Sequence, residues 1–122
     1  MRISYEIKKD VAVVQAKGAI GREELESAFT AMKSDPYFHP GMKILIDNRG
    51  SVYKASSEEI RDTASMMRSF FRSDSPIALV ADRDASFATG RMLEVFCESE
   101  GVLFQVFRAL KDAAKWLADG GP

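Results

Sequence analysis

Few residues in this chain could do chemistry. There is one histidine, His39, and one cysteine, Cys97. A nucleophilic serine or cysteine needs a base within reach. His39 lies between Phe38 and Pro40, whereas Cys97 falls late in a helical stretch, and no spacing draws them together. One histidine and one cysteine also fall short of a zinc-ligand set. Asp82 and Asp84 lack the repeated acidic spacing of a calcium loop. Gly18-Ala19-Ile20-Gly21 is not a dinucleotide-binding glycine pattern, and no Gly-x-x-x-x-Gly-Lys phosphate loop occurs. The expectation is a protein that is not an enzyme, with no cofactor and no metal.

Binding is the other chemistry available. In open α/β sheets, ligands sit beyond the carboxyl ends of the strands, where helix N-termini present free N–H groups. Apolar strands ending at Asp47 and Ala81 feed helices beginning near Ser57 and Ser86. That edge should gather Asp47, Ser57, Asp82, Arg83, Ser86, Phe87 and Arg91 into a small polar crevice walled by Phe87. Its ligand would be small, and uncharged or singly anionic. Ser56 and Ser57 are candidate phosphorylation sites at a helix start, although Ser56 or Ser57 followed by Glu59 reads first as a cap. Arg61, Arg68 and Arg72 form an outward stripe with Glu58 and Asp62 alongside, which reads as a solvated face.

The elements that position these residues follow from periodicity. Ile3, Tyr5 and Ile7 alternate with polar neighbours, and Val11 to Lys17 is rich in β-branched residues, so the two strands form an antiparallel hairpin across Lys8-Lys9-Asp10. Gly18 and Gly21 lead into a first helix, about Arg22 to Ser34, with Leu25, Ala28, Phe29 and Met32 facing inward. Met42 to Asp47 and Ile77 to Ala81 are continuous apolar runs, typical of strands covered on both faces. Between them a helix runs to about Arg72, with Ile60, Ala64, Met67 and Phe71 inward. Met66 and Phe70 widen its apolar arc and suggest a homodimer interface. A third helix reaches about Ser99 with Ala88, Met92, Val95 and Phe96 as its inward stripe, which places Cys97 on the opposite side. Val102 to Phe107 and Leu110 to Leu117 supply the last strand and helix. The order β-β-α-β-α-β-α-β-α predicts an α/β fold, a mixed five-stranded sheet with an N-terminal antiparallel hairpin. Residues 1–118 read as one domain, and 119–122 as a frayed tail.

Composition narrows the partners. At 122 residues and a formal net charge of -1, the chain has no global positive field for nucleic acid. A single cysteine cannot form an internal disulfide. The longest apolar runs, Val11 to Val14 and Ile77 to Ala81, are too short to insert stably in a bilayer. The N-terminus lacks the apolar block of a secretory signal. A cytoplasmic protein is expected.

The element order joins three stretches: Lys43-Ile44-Leu45-Ile46-Asp47, Ala85-Ser86-Phe87-Ala88-Thr89-Gly90-Arg91-Met92, and Phe107 to Leu117 with its Ala114-Lys115-Trp116-Leu117. Together they resemble the STAS-like family and, more narrowly, its bacterial SpoIIAA-like branch (stage II sporulation protein AA-like). The resemblance covers nearly the whole chain. It implies a binding or regulatory module acting through a protein partner or a small ligand. In anti-anti-sigma members, the resemblance implies, a serine opening the second helix is phosphorylated within Asp-Ser-Ser-Gly or Asp-Ser-Thr-Gly. The matching stretch here is Ala55-Ser56-Ser57-Glu58, which keeps the serines but has Ala55 for the acid and Glu58 for the glycine. Glu58 adds like charge beside a would-be phosphate. Two alternatives follow: a phosphorylation-switched anti-sigma factor antagonist, or a carrier of a lipid or other small apolar ligand.

Overall fold

The computed structural model describes residues 3–18 and 21–121. Strands β1 (Ile3–Lys8) and β2 (Val11–Ala16) pair antiparallel, with Ile3 opposite Ala16 and Lys8 opposite Val11. The hairpin closes through Lys9 and Asp10, with Lys9 in the left-handed region at φ 56°. Strands β3 (Lys43–Asp47), β4 (Ile77–Val80) and β5 (Phe104–Phe107) follow in parallel. The sheet order is β1-β2-β3-β4-β5, so every strand lies beside its predecessor.

Helices α1 (Arg22–Lys33), α2 (Ser57–Phe70) and α3 (Asp84–Glu100) make the three crossovers, and α4 (Leu110–Ala118) closes the chain. Crossovers of one hand, repeated in one direction, put all three helices on the same face of the sheet. Side-chain alternation then sorts the core in two. Ile44, Ile46, Ile77 and Leu79 point toward α1–α3, where Phe29, Met32, Ile60, Met67 and Leu93 meet them. Leu45, Ala78 and Val80 point the other way, against Ala113, Trp116 and Leu117 of α4. The near-continuous apolar sequence of β3 and β4 has this cause. Local signals set the ends. Ser56 caps α2 by accepting from the Glu59 N–H at 3.2 Å, while the Glu59 carboxylate accepts from the Ser56 N–H at 2.9 Å.

The structure corrects the expected face of α3. Ser86, Gly90, Leu93 and Cys97 are its buried residues. Met92 and Val95 are 43% and 62% exposed, and Ala88 is also exposed. Cys97 is fully buried, its Sγ 4.0 Å from the Met67 Sδ. The buried stripe consists largely of small residues because α3 lies close on the sheet. A Cβ at Gly90 would fall 2.6 Å from Val106 Cγ2 and 3.4 Å from Leu79 Cδ2. At the end of the described chain, Gly121 is held against the fold. The Gly121 N–H donates to the Trp116 carbonyl at 2.9 Å, and a Cβ there would meet Pro76 at 2.5 Å. Pro122, Met1, Arg2, Ala19 and Ile20 lie outside the described residues.

Gly90→Ala is therefore expected to destabilise. Overpacking costs about 1–3 kcal/mol, and the helix-propensity gain of about 1 kcal/mol offsets only part of it. Urea midpoints should fall, and adding Val106→Ala should cost less in the Gly90→Ala background than in the parent. A Gly90→Ala variant at least as stable as the parent would show that the close approach is absent.

Candidate functional site

The polar groups at the carboxyl ends of the strands turn out to hold a loop. After β3 the chain runs irregularly from Asn48 to Ala55, and side chains from three directions fasten it. The Asn48 N–H extends the ladder to the Val80 carbonyl at 2.9 Å. Ser51 Oγ donates to the Ala16 carbonyl at 3.1 Å and accepts from the Gly18 N–H at 2.9 Å. Ser86 Oγ, fully buried, donates to the Ser51 carbonyl at 3.1 Å and accepts from the Tyr53 N–H at 2.8 Å. Asp82 accepts from the Gly50 N–H at 3.0 Å. Asp47 receives Arg49 through two charge-assisted bonds of 2.9 Å, from Nε and Nη2. That guanidinium holds the Asp47 carboxyl below its usual range, with burial opposing.

The expected crevice residues are thus dispersed. Asp47 and Asp82 line a shallow, open polar depression with Lys17, Arg49 and Gly50. Ser57 and Arg83 are exposed, and Ser86 is buried in the loop fastening. Phe87 is half-buried under the Arg108 guanidinium, 4.3 Å from the ring centroid, and Arg108 also meets Asp84 at 2.8 Å. Arg91 pairs with Glu94 at 3.2 Å. The interface residues fare similarly. Met66 is only 4% exposed, and Phe70 is half-buried, its ring 5.8 Å from that of Phe29 with Lys33 above it. Met66 is therefore part of the core, while Phe70 keeps part of its ring at the surface. The arginine stripe is engaged: Arg61 lies over Phe96, Arg68 donates to the Glu100 carbonyl, and Arg72 pairs with Asp74.

A more enclosed, apolar cavity lies on the other side of the fastened loop, between α1, α2 and the sheet. It measures about 320 Å³ and reaches Ile46, Met67, Leu79, Leu93 and Phe104 in the core. Leu25 of α1 and Val52, Tyr53 and Ala55 of the loop form its outer walls. Its mouth carries Arg22, Lys54, Glu59 and Asp62. The sequence expectation placed a crevice between the starts of α2 and α3, whereas this cavity opens between the starts of α1 and α2. Its signal in the sequence is slight: apolar Val52, Tyr53 and Ala55 within a segment that otherwise reads as a polar loop.

Behind the cavity wall sits a weak point. The Tyr53 hydroxyl is cut off from solvent and has no hydrogen-bond partner among the described residues. Thr63 Oγ1 beside it donates to the Glu59 carbonyl at 3.0 Å. Burial pushes the Tyr53 phenol up to about 12, with Cys97 and Glu59 adding and Thr63 opposing. Burial also pushes the Cys97 thiol up to about 12, helped by Glu100 and Glu94. Such a thiol is a poor nucleophile, and His39 lies exposed in the loop after α1. Among the described residues, no three His, Cys, Asp or Glu side chains could hold a metal ion together. No described helix is long and apolar enough to cross a membrane.

The fold is STAS/SpoIIAA-like, on its likeness to two solved structures. A solved anti-sigma factor antagonist from Mycobacterium paratuberculosis superimposes with a TM-score of 0.70 at 20% identity, over 96% of this chain and 93% of that one. An uncharacterised protein with a SpoIIAA-like fold from Shewanella loihica gives 0.57 at 19% identity, over 94% and 91%. No family model and no curated protein matches the sequence.

The two buried acids set a pH dependence. The unfolded chain releases the thiol and phenol protons near their ordinary values of 9.0 and 10.0, while the fold retains both to about 12. The folded state then binds more protons, so stability falls as pH rises from about 9 toward 12. The slope approaches about 1.4 kcal/mol per pH unit for each group. Urea unfolding between about pH 8 and pH 11 should show this decline, and a Tyr53→Phe/Cys97→Ala variant should flatten it. An equal decline in that variant would assign the effect elsewhere.

Proposed function

We propose that this chain is a non-enzymatic regulatory module of the cytoplasm that works by binding, with a small ligand held in the cavity between α1, α2 and the sheet. The cavity itself carries the reading. At about 320 Å³ it falls within the usual range for small-molecule sites, and its walls are mainly apolar. The polar side chains at the strand ends, which a catalytic reading would need, are engaged in holding the loop after β3. The structural neighbour described as an anti-sigma factor antagonist is consistent with regulation through a protein partner. A ligand against the Val52–Ala55 segment sits next to the start of α2, where it could alter the surface a partner meets.

Native mass spectrometry of freshly purified protein tests this. A bound species should appear above the chain mass, and Leu25→Trp or Ala55→Trp should remove it by filling the half-buried outer cavity. Both variants should unfold at a temperature no lower than the parent. Persistence of the bound species in both filled variants would move the ligand to another place.

A second reading, a phosphorylation-switched antagonist, is favoured by one observation. Ser57 is exposed at the first position of α2, where the helix end favours a phosphate. Ser56 is the less available of the two, since its hydroxyl caps the helix. Incubation with cell lysate and ATP, followed by mass spectrometry, should then report phosphate on Ser57 that Ser57→Ala abolishes. Ser56→Ala should leave the modification in place while costing about 1 kcal/mol of stability. An unmodified Ser57 would remove this reading.

A further inference from the structure

We propose that the ligand of this cavity is a short amphipathic monocarboxylate, its carboxylate between Arg22 and Lys54 and its apolar body against Leu25, Ile46 and Met67. The inference rests on the reading of the cavity as a ligand site. Size comes first. At about 30 Å³ for each water-sized group, about 320 Å³ admits on the order of ten non-hydrogen atoms. That accommodates a medium-length acyl or arylalkyl body and is too little for a long lipid chain.

Charge at the mouth supplies the head group. Arg22 opens α1, and Lys54 lies two residues before the Ser56 cap of α2. Both are exposed, and neither has an ion-pair or hydrogen-bond partner among the described residues. Two helices begin at this mouth, and each adds partial positive charge from its free N–H groups. Two lining carboxylates oppose them, and Glu24 at the start of α1 accepts from the Gly21 N–H at 3.3 Å. Glu59 is turned to the Ser56 N–H at 2.9 Å as the return half of the capping box. Asp62 is the other, without a partner among the described residues, like the two cations. The lining side chains cancel, two cations against two carboxylates, so the positive field left for a ligand is the partial charge of the two helix starts, which suits a single carboxylate and leaves a dianion or phosphate ester under-compensated. An apolar interior beneath such a mouth orients an amphipathic anion head outward, so the head keeps part of its hydration and the burial cost of a charge is avoided.

Chemical-shift titration of the full chain with octanoate, octan-1-ol, octylammonium and palmitate, each below its micelle-forming concentration, tests the class. Octanoate should shift the amides of Leu25, Ala55 and Met67 and bind about fivefold tighter than octanol at low salt. That preference should shrink as salt screens the rim. It should vanish in Arg22→Ala/Lys54→Ala, a pair of exposed changes whose fold can be checked by thermal unfolding, with octanol binding unaltered. Asp62→Asn should tighten octanoate. Octanol or octylammonium equal to octanoate, or palmitate tighter than octanoate, would overturn the carboxylate assignment while leaving the cavity as a ligand site. If none of the four shifts those amides, the cavity reading itself fails and takes the ligand class with it.

Discussion

The handedness of three successive crossovers governs most of what this chain can do. Each strand joins the sheet beside its predecessor, so the parallel connections all advance in one direction. A right-handed path then has only one face available to α1, α2 and α3. The sheet becomes thick on one side and thin on the other, where α4 packs alone. The same constraint sends each parallel strand's carboxyl end and each crossover helix's amino end to one edge. Polar loops, helix caps and the mouth of the cavity all lie along that edge as a consequence.

How a site on that edge is used depends on what its polar groups already touch. Ser51 bonds at the ends of both β2 and the Gly18 turn, Ser86 bridges Ser51 and Tyr53, and Asp82 holds Gly50. An irregular segment beside a sheet has backbone groups that the ladder cannot satisfy, and these side chains satisfy them. The result is a firm partition. On one side lies a shallow, ion-paired depression around Asp47 and Arg49, and on the other a more enclosed apolar cavity under α1. Firmness at the partition lets Val52, Tyr53 and Ala55 stand as cavity wall without a regular element to support them.

The sequence makes the backbone order plain and the site much less so. Hairpin, parallel strands and helices all follow from period and turn residues, and β3 and β4 betray their double burial through unbroken apolar runs. The third helix misleads because its exposed side carries Ala88, Met92 and Val95, while its buried side carries Ser86, Gly90 and Cys97. Hydrophobicity marks burial poorly where a helix must approach a sheet closely, since small size then matters more than apolar area. The site misleads for a related reason. Asp47, Asp82 and Ser86 have the residue types of a binding crevice, yet their hydrogen bonds face the chain's own loop. The cavity walls are ordinary core residues such as Ile46 and Leu79, and nothing in residue type separates a core position that meets a neighbour from one that meets a void.

The thin face has its own consequence. A single helix about 10 Å across cannot cover five strands spaced about 4.8 Å apart. Packing of α4 centres on β3, β4 and β5, with Val11 and Val13 of β2 only partly covered. The remaining margin belongs to β1, whose residues on that side are Ser4, Glu6 and Lys8. As an edge strand, β1 also exposes a row of unpaired backbone groups, a template onto which another chain could pair. Charge of both signs along it makes incoming strands pay desolvation before they gain a hydrogen bond. The incomplete roof of one helix is therefore matched by a strand whose composition guards the open margin against edge-to-edge aggregation.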